Sequence, residues 1–110
     1  MKSKKTFIVV YTTFPNAKTA KKIINGLLQR RIAVCGNIFR VSSMYVWKDK
    51  IEQSPEYGAF IKTVKNNYKK VEHHIKQNHP YEVPEIISWT IERGHKAYLD
   101  WIGAEIRKIE

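Results

Sequence analysis

Two periodicities alternate along this chain, and their order is its first structural signal. Thr6 to Thr13 is apolar on both faces and predicts a central strand. Phe14-Pro15-Asn16 ends it, and Asn16 is placed to cap a helix running to about Arg31. Ala17, Ala20, Ile23, Ile24, Leu27 and Leu28 form one stripe of that helix, while Lys18, Lys21 and Lys22 share the other side. Ile32 to Trp47 is a long β-rich run, and Met44 to Trp47 are all apolar or aromatic. Lys48-Asp49-Lys50 suits a hairpin turn, because Asp tolerates a positive φ. A returning strand is expected with a break near Ser54-Pro55, continuing from Tyr57 to Val64.

The second half repeats the scheme. Asn66 or Asn67 caps a second helix that turns Tyr68, Val71 and Ile75 inward and ends near Asn78. His79-Pro80-Tyr81-Glu82-Val83-Pro84-Glu85-Ile86 follows. Its two prolines exclude a helix or a central strand, so it is a stiff connector presenting His79, Tyr81, Glu82 and Glu85. It leads into a strand over 85–92 expected to be buried, then a turn at Arg93-Gly94-His95. A last helix over 97–109 turns Tyr98, Trp101, Ile102, Ile106 and Ile109 inward. The order β-α-β-β-α-β plus a C-terminal helix predicts an α+β, ferredoxin-like domain: an antiparallel sheet with two helices on one face. The other face and the long middle hairpin then need cover. The third helix supplies part, and another subunit is the simplest cover for the rest.

Composition narrows the class. The 110 residues make one domain, 1–110, with a basic N-terminal tail over 1–5. One cysteine excludes an internal disulfide framework and Cys-x-x-Cys zinc clusters. The apolar run behind the basic start is too short for a signal-peptide core or a membrane span, so a cytoplasmic protein without membrane contact is expected. The net charge is +10, and its excess lies entirely in residues 1–48, which hold ten Lys or Arg and no Asp or Glu. Such asymmetry suits either an anionic partner or a solvated basic face.

Candidate chemistry is sparse. No Gly-rich phosphate loop, nucleophile elbow, His-Glu-x-x-His or carboxylate pair is present, so the chain is read as a binding protein, not an enzyme. Cys35 is either a small buried apolar residue or a soft thiolate ligand for copper. His73 and His74 point to different sides of their helix, and no His pair has the spacing of a helical metal site. His79, held by the proline behind it, forms with Glu82 and Glu85 a set suited to a divalent metal; its other reading is a dipole-stabilised helix C-terminus. Lys62, in an apolar strand, either faces solvent or needs an acidic group or anionic ligand. Trp47, Tyr45, Trp89 and Trp101 are anchors of a core or an interface.

These segments resemble the CutA family of divalent-cation tolerance proteins from about Phe7 to Ile106. The resemblance rests on Thr12-Thr13-x-Pro15, on Arg31-Ile32-Ala33-Val34-Cys35-Gly36-Asn37-Ile38 and on Met44-Tyr45-Val46-Trp47. It continues through Lys50-Ile51-Glu52, Ile61-Lys62-Thr63, the proline connector, and Tyr98-Leu99-Asp100-Trp101-Ile102. It implies a ferredoxin-like fold similar to the PII signalling proteins and a homotrimer whose hairpins pair between subunits. It also implies copper or other divalent ions as ligands. Cys35 and His79 are the implied metal ligands, and Trp47, Lys62, Tyr81, Glu82 and Glu85 the implied residues of a ligand cleft. Three features depart from the family pattern. Phe14 stands where a second thiol near Cys35 is often found, Asp49 replaces a hairpin glycine, and the basic bias opposes free cations at long range.

The expected function is therefore a trimeric divalent-cation tolerance protein that binds metal and requires no cofactor. The alternative is a PII-like trimer sensing a small anion or nucleotide. An RNA-recognition module shares the element order but is excluded. Glu56-Tyr57-Gly58-Ala59-Phe60-Ile61-Lys62-Thr63 lacks the basic residue, the glycine and two of the aromatics of that motif, so no specific nucleic acid is expected.

Overall fold

The structure is a computed structural model and describes residues 5–107. Its elements follow the expected order: β1 Phe7–Phe14, α1 Ala17–Gln29, β2 Cys35–Trp47, β3 Lys50–Val64, α2 Tyr68–Asn78, β4 Ile86–Thr90 and α3 Lys96–Arg107. A 3-10 turn over Lys65–Asn67 joins β3 to α2. The four strands form one antiparallel sheet in the order β2-β3-β1-β4, the ferredoxin-like arrangement.

Strand alternation divides the sheet into two faces. Ile8, Val10 and Phe14 from β1 and Ala59 and Ile61 from β3 point to one side. There they pack on Ala20, Ile23, Ile24 and Leu27 of α1 and on Val71 and Ile75 of α2. Each fully buried Ile, Leu or Val adds about 1.5–3 kcal/mol relative to exposure. On the other side α3 covers only one end, where Ile102 and Ile106 meet Val34, Val64, Phe7 and Cys35. The two-helix layer and the partial cover by a third helix are as the sequence predicts.

Local chemistry sets the ends of α1. Asn16 is extended, and its Oδ1 accepts from the Thr19 N–H at 2.8 Å. At the other end Arg31 adopts φ 56°, and the Ile32 N–H reaches back to Leu27 O at 3.0 Å, closing the helix in a left-handed turn. Ile32 O then accepts from Thr63 Oγ1 at 2.6 Å and Asn67 Nδ2 at 3.0 Å, which pins this turn to β3 and α2. Asn67 is thus a buried cross-link and not the side-chain cap expected of it.

The hairpin differs from the sequence reading in two ways. Lys48 as well as Asp49 has positive φ, at 50° and 65°, which gives the tight two-residue turn that matches strand twist. In addition β3 runs unbroken through Pro55, which pairs with Ser42. β1 has ended by then, its last pair being Phe14 with Tyr57. β3 therefore has one free edge at Pro55, the position where a residue without an N–H is tolerated. The hairpin projects beyond the sheet and stretches the molecule to 53 × 26 × 21 Å.

The open sheet face is aromatic. Tyr11, Phe39, Phe60 and Trp89 form a chain of ring contacts, with centroids 4.9–6.3 Å apart. Gly58 makes room for them, since a Cβ there would lie 2.9 Å from Phe39 Cε2 and 3.0 Å from the Tyr11 hydroxyl. β4, expected to be buried, is instead an edge strand with Ile87 and Trp89 about half exposed. Of the α3 side chains expected to face inward, Ile102 and Ile106 are fully buried, while Tyr98 and Trp101 stack on each other near the surface. Ile109 lies outside the described residues.

Candidate functional site

The connector between α2 and β4 folds back against the base of the hairpin. His79 is the hinge. Its Nδ1 accepts the Tyr81 N–H at 3.1 Å, so its proton sits on Nε2, which donates to Thr13 O at 2.7 Å. Its ring also stacks on Phe14, with centroids 5.4 Å apart. Phe14, read from sequence as part of the strand-ending break and as the place of an absent thiol, is thus a wall for this imidazole.

From that hinge Tyr81 reaches β3, and its hydroxyl donates to Glu56 Oε2 at 2.8 Å. Glu56 is only 8% exposed, and the bond satisfies a carboxylate taken largely out of water. Partial burial, followed by the bond to Glu56, pushes the Tyr81 phenol up to about 12. The phenol therefore remains a donor throughout the neutral range.

Between connector and hairpin lies a cavity of about 510 Å³. Glu56, Glu82 and Glu85 line it, with Tyr45, Trp47 and Tyr81 supplying aromatic walls and Met44 and Val83 an apolar floor. Three carboxylates and no Lys, Arg or His line it among the described residues, although the chain carries +10. Such a lining attracts cations through carboxylate charge and aromatic faces.

Of the residues picked out in the sequence, Trp47, Tyr81, Glu82 and Glu85 meet here. Lys62 does not. It lies half-buried on β3, bonded to Asn37 Oδ1, with its Nζ 4.0 Å from Cys35 Sγ. Tyr98 completes that group. Burial first, and then a hydrogen bond to Cys35, push its phenol up to about 12. Cys35 is half-buried against the α3 cluster.

Cys35 and His79 do not share a site within one chain. Cys35 pairs with Lys62, which pairs with Val9, whereas His79 is bonded at Thr13. The four-residue offset along β1 amounts to about 13 Å. Among the described residues no three His, Cys, Asp or Glu side chains are grouped closely enough to hold a metal ion. Both ring nitrogens of His79 are already engaged. A single chain thus offers no enclosed metal centre among the described residues.

The sequence reading missed Glu56. It sits between Pro55 and Tyr57 where a strand break was expected, and only the register of an unbroken β3 turns it toward Tyr81. Tyr45 was read as an anchor, and its hydroxyl lies 3.3 Å from Ser54 Oγ across the hairpin.

Strand order, hairpin and helix placement define an α+β domain of ferredoxin-like topology with an acidic cavity at the hairpin base. Comparison with known proteins makes the assignment specific. Residues 8–105 match the family described as CutA1 divalent ion tolerance protein. The divalent-cation tolerance protein CutA of Pyrococcus horikoshii is 38% identical over 101 residues, covering 92% of this chain and 99% of its own. A CutA homolog of Xenopus laevis is 40% identical over 94 residues, 84% of this chain and 62% of its own. Among solved structures, the periplasmic divalent cation tolerance protein CutA from Archaeoglobus fulgidus superposes with a TM-score of 0.90 at 35% identity, covering 92% of this chain and 99% of that one. CutA1 from Oryza sativa gives 0.89 at 34% identity, covering 94% and 95%. The chain belongs to the CutA divalent-cation tolerance family.

Proposed function

We propose that this protein is a homotrimer that binds divalent cations, copper among them, at the cavity beneath the hairpin, and that binding rather than catalysis is its activity. The observation that supports this reading is the lining of that cavity. Glu56, Glu82 and Glu85 supply its only charged side chains among the described residues of a strongly basic chain. Carboxylate oxygens suit divalent ions, and a second copy brought to the hairpin would raise the donor count. The apolar hairpin supports assembly: Met44, Val46 and Ile51 are about 70% exposed in the single chain (68%, 73% and 76%), next to the uncovered aromatic sheet face. The alternative, a PII-like trimer taking a small anion or nucleotide, rests on Lys62, which lies away from the cavity and is bonded to Asn37. The proposed compartment is the cytoplasm, supported by the single unpaired Cys35.

Native mass spectrometry of chelator-stripped protein, titrated with copper, zinc and ATP, tests the reading. The expected result is a trimer that takes up about one ion per chain, with uptake weakened at least tenfold in Glu82→Gln/Glu85→Gln. A trimer that ignores metals and retains ATP would overturn the cation reading. A monodisperse trimer after deletion of residues 48–50 would overturn the role given to the hairpin.

A further inference from the structure

The basic excess has a definite place in the fold. The two helices that cover the sheet, with their flanking turns, hold eight exposed cations: Lys18, Lys21, Lys22 and Arg30 around α1, and Lys65, Lys69, Lys70 and Lys76 around α2. Residues 17–30 and 65–78 contain one carboxylate, Glu72, which is occupied by the Tyr68 hydroxyl at 2.9 Å and by Lys69 at 3.8 Å. Between the end of α1 and the start of α2 runs a groove of about 720 Å³, flanked by Arg30, Lys69, Lys70, His73 and His74 with no carboxylate among the described residues. Gly26 lets the two helices meet here: a Cβ would come within 2.7 Å of His74 Nε2, which bonds Ile23 O at 3.1 Å.

Helix electrostatics do not explain this arrangement. Basic side chains stabilise a helix C-terminus and oppose an N-terminus. Yet Lys69 and Lys70 occupy the first turn of α2, which has no acidic residue and no side-chain cap. Like charges crowded across α1 and α2 repel one another, and an anion laid over them relieves that repulsion.

We propose that this helical layer binds the phosphate backbone of a nucleic-acid duplex without sequence preference. Three observations favour that occupant. First, the charge is spread along the helices: α1 is about 20 Å long, a span over which a duplex presents about twelve phosphates at one per about 1.7 Å. Second, among the described residues, none of the large hydrophobic side chains exposed on the molecule belongs to α1 or α2, so the layer has neither an apolar wedge for a lipid surface nor an aromatic platform for single strands. Third, Asn25, Gln29 and Gln77 are exposed among the cations and suit hydrogen bonding to phosphate and sugar oxygens. The layer lies on the sheet face opposite the aromatic patch, so the proposal is independent of the cation cavity and of assembly through the hairpin.

Fluorescence anisotropy with a random-sequence duplex of about 20 base pairs, read across salt concentrations, tests it. With about five cations engaged per chain, affinity falls about 500-fold between about 50 and 200 mM salt. Lys21→Gln/Lys22→Gln/Arg30→Gln/Lys70→Gln removes four exposed charges and is expected to lower affinity at least tenfold and flatten the log–log salt slope by about three to four. The control Arg40→Gln/Lys48→Gln/Lys50→Gln/Arg93→Gln removes the same charge from β2, the hairpin and the turn after β4 and is expected to leave the slope unchanged. Equal losses in both variants would assign the effect to net charge and overturn the proposal. So would binding of anionic vesicles or polyglutamate while the duplex is ignored. Circular dichroism of both variants, matching the parent, shows that a lost signal is not lost fold.

Discussion

Tyr81→Phe probes the contact that joins connector to hairpin. The substitution removes one oxygen, retains the ring, and leaves Glu56 without the donor at 2.8 Å. A hydrogen bond to a charged group contributes about 1.5–3 kcal/mol. Tyr81 is 37% exposed, so water replaces part of the lost bond and the lower end applies. The expected destabilisation is about 1–2 kcal/mol, read by urea unfolding at fixed protein concentration. Glu56→Gln supplies the second edge of a double-mutant cycle, and the Tyr81→Phe cost is expected to shrink by at least half in that background. The sign of the pH dependence follows from the phenol. Its folded value of about 12 lies above the ordinary 10.0, so its contribution is complete below pH 10 and is lost as pH rises through 12. In the parent, absorbance at the phenolate band should show this late titration, and Tyr81→Phe should remove one phenol from it. A Tyr81→Phe cost under about 0.3 kcal/mol, or one unchanged in the Glu56→Gln background, would refute the claim that this bond joins connector to hairpin.

Three further outcomes are expected. Asn16→Ala removes the cap on the Thr19 N–H and should cost about 1 kcal/mol, against a few tenths for Asn16→Gly. His74 is held below its usual 6.5 first by burial and then by the charges of Arg30 and His73, so stability is full above pH 6.5 and falls as pH drops below it; His74→Gln should flatten that limb in acid unfolding. Cys35→Ser should sharply weaken Cu(I) binding if its thiolate is a ligand, and unchanged Cu(I) affinity by competition titration would remove Cys35 from any metal site.

Much of the fold was legible because its signals are local. The stripe of Ala20, Ile23, Ile24 and Leu27 specified α1, and Asn16 marked its start. The residues Lys48 and Asp49 marked the hairpin tip. The misreadings share one physical cause. Pro55 and Asn67 were judged by residue type, and the burial of Trp89 and Trp101 by the pattern of their own segments, but each is governed by what lies across from it. Pro55 has a free strand edge, Asn67 a distant carbonyl, Trp89 an edge strand, and Trp101 the outer side of a helix that covers only part of the sheet.

Element order, helical stripes, the hairpin and the stiff proline connector were all readable along the chain, since periodicity and backbone sterics act between near neighbours. So were Trp47, Tyr81, Glu82 and Glu85 as candidates, because few polar and aromatic groups stand on such fixed backbone. Which candidates meet was settled by the folded arrangement. Strand register put Glu56 under Tyr81, kept Lys62 with Cys35 and Asn37, and set Cys35 about 13 Å along the sheet from the anchor of His79. Helix packing, likewise, gathered lysines from residues 18–22 and 65–76 into one basic layer. These are contacts between segments far apart in the chain, fixed by pairing and packing, and no pattern within either segment encodes them alone.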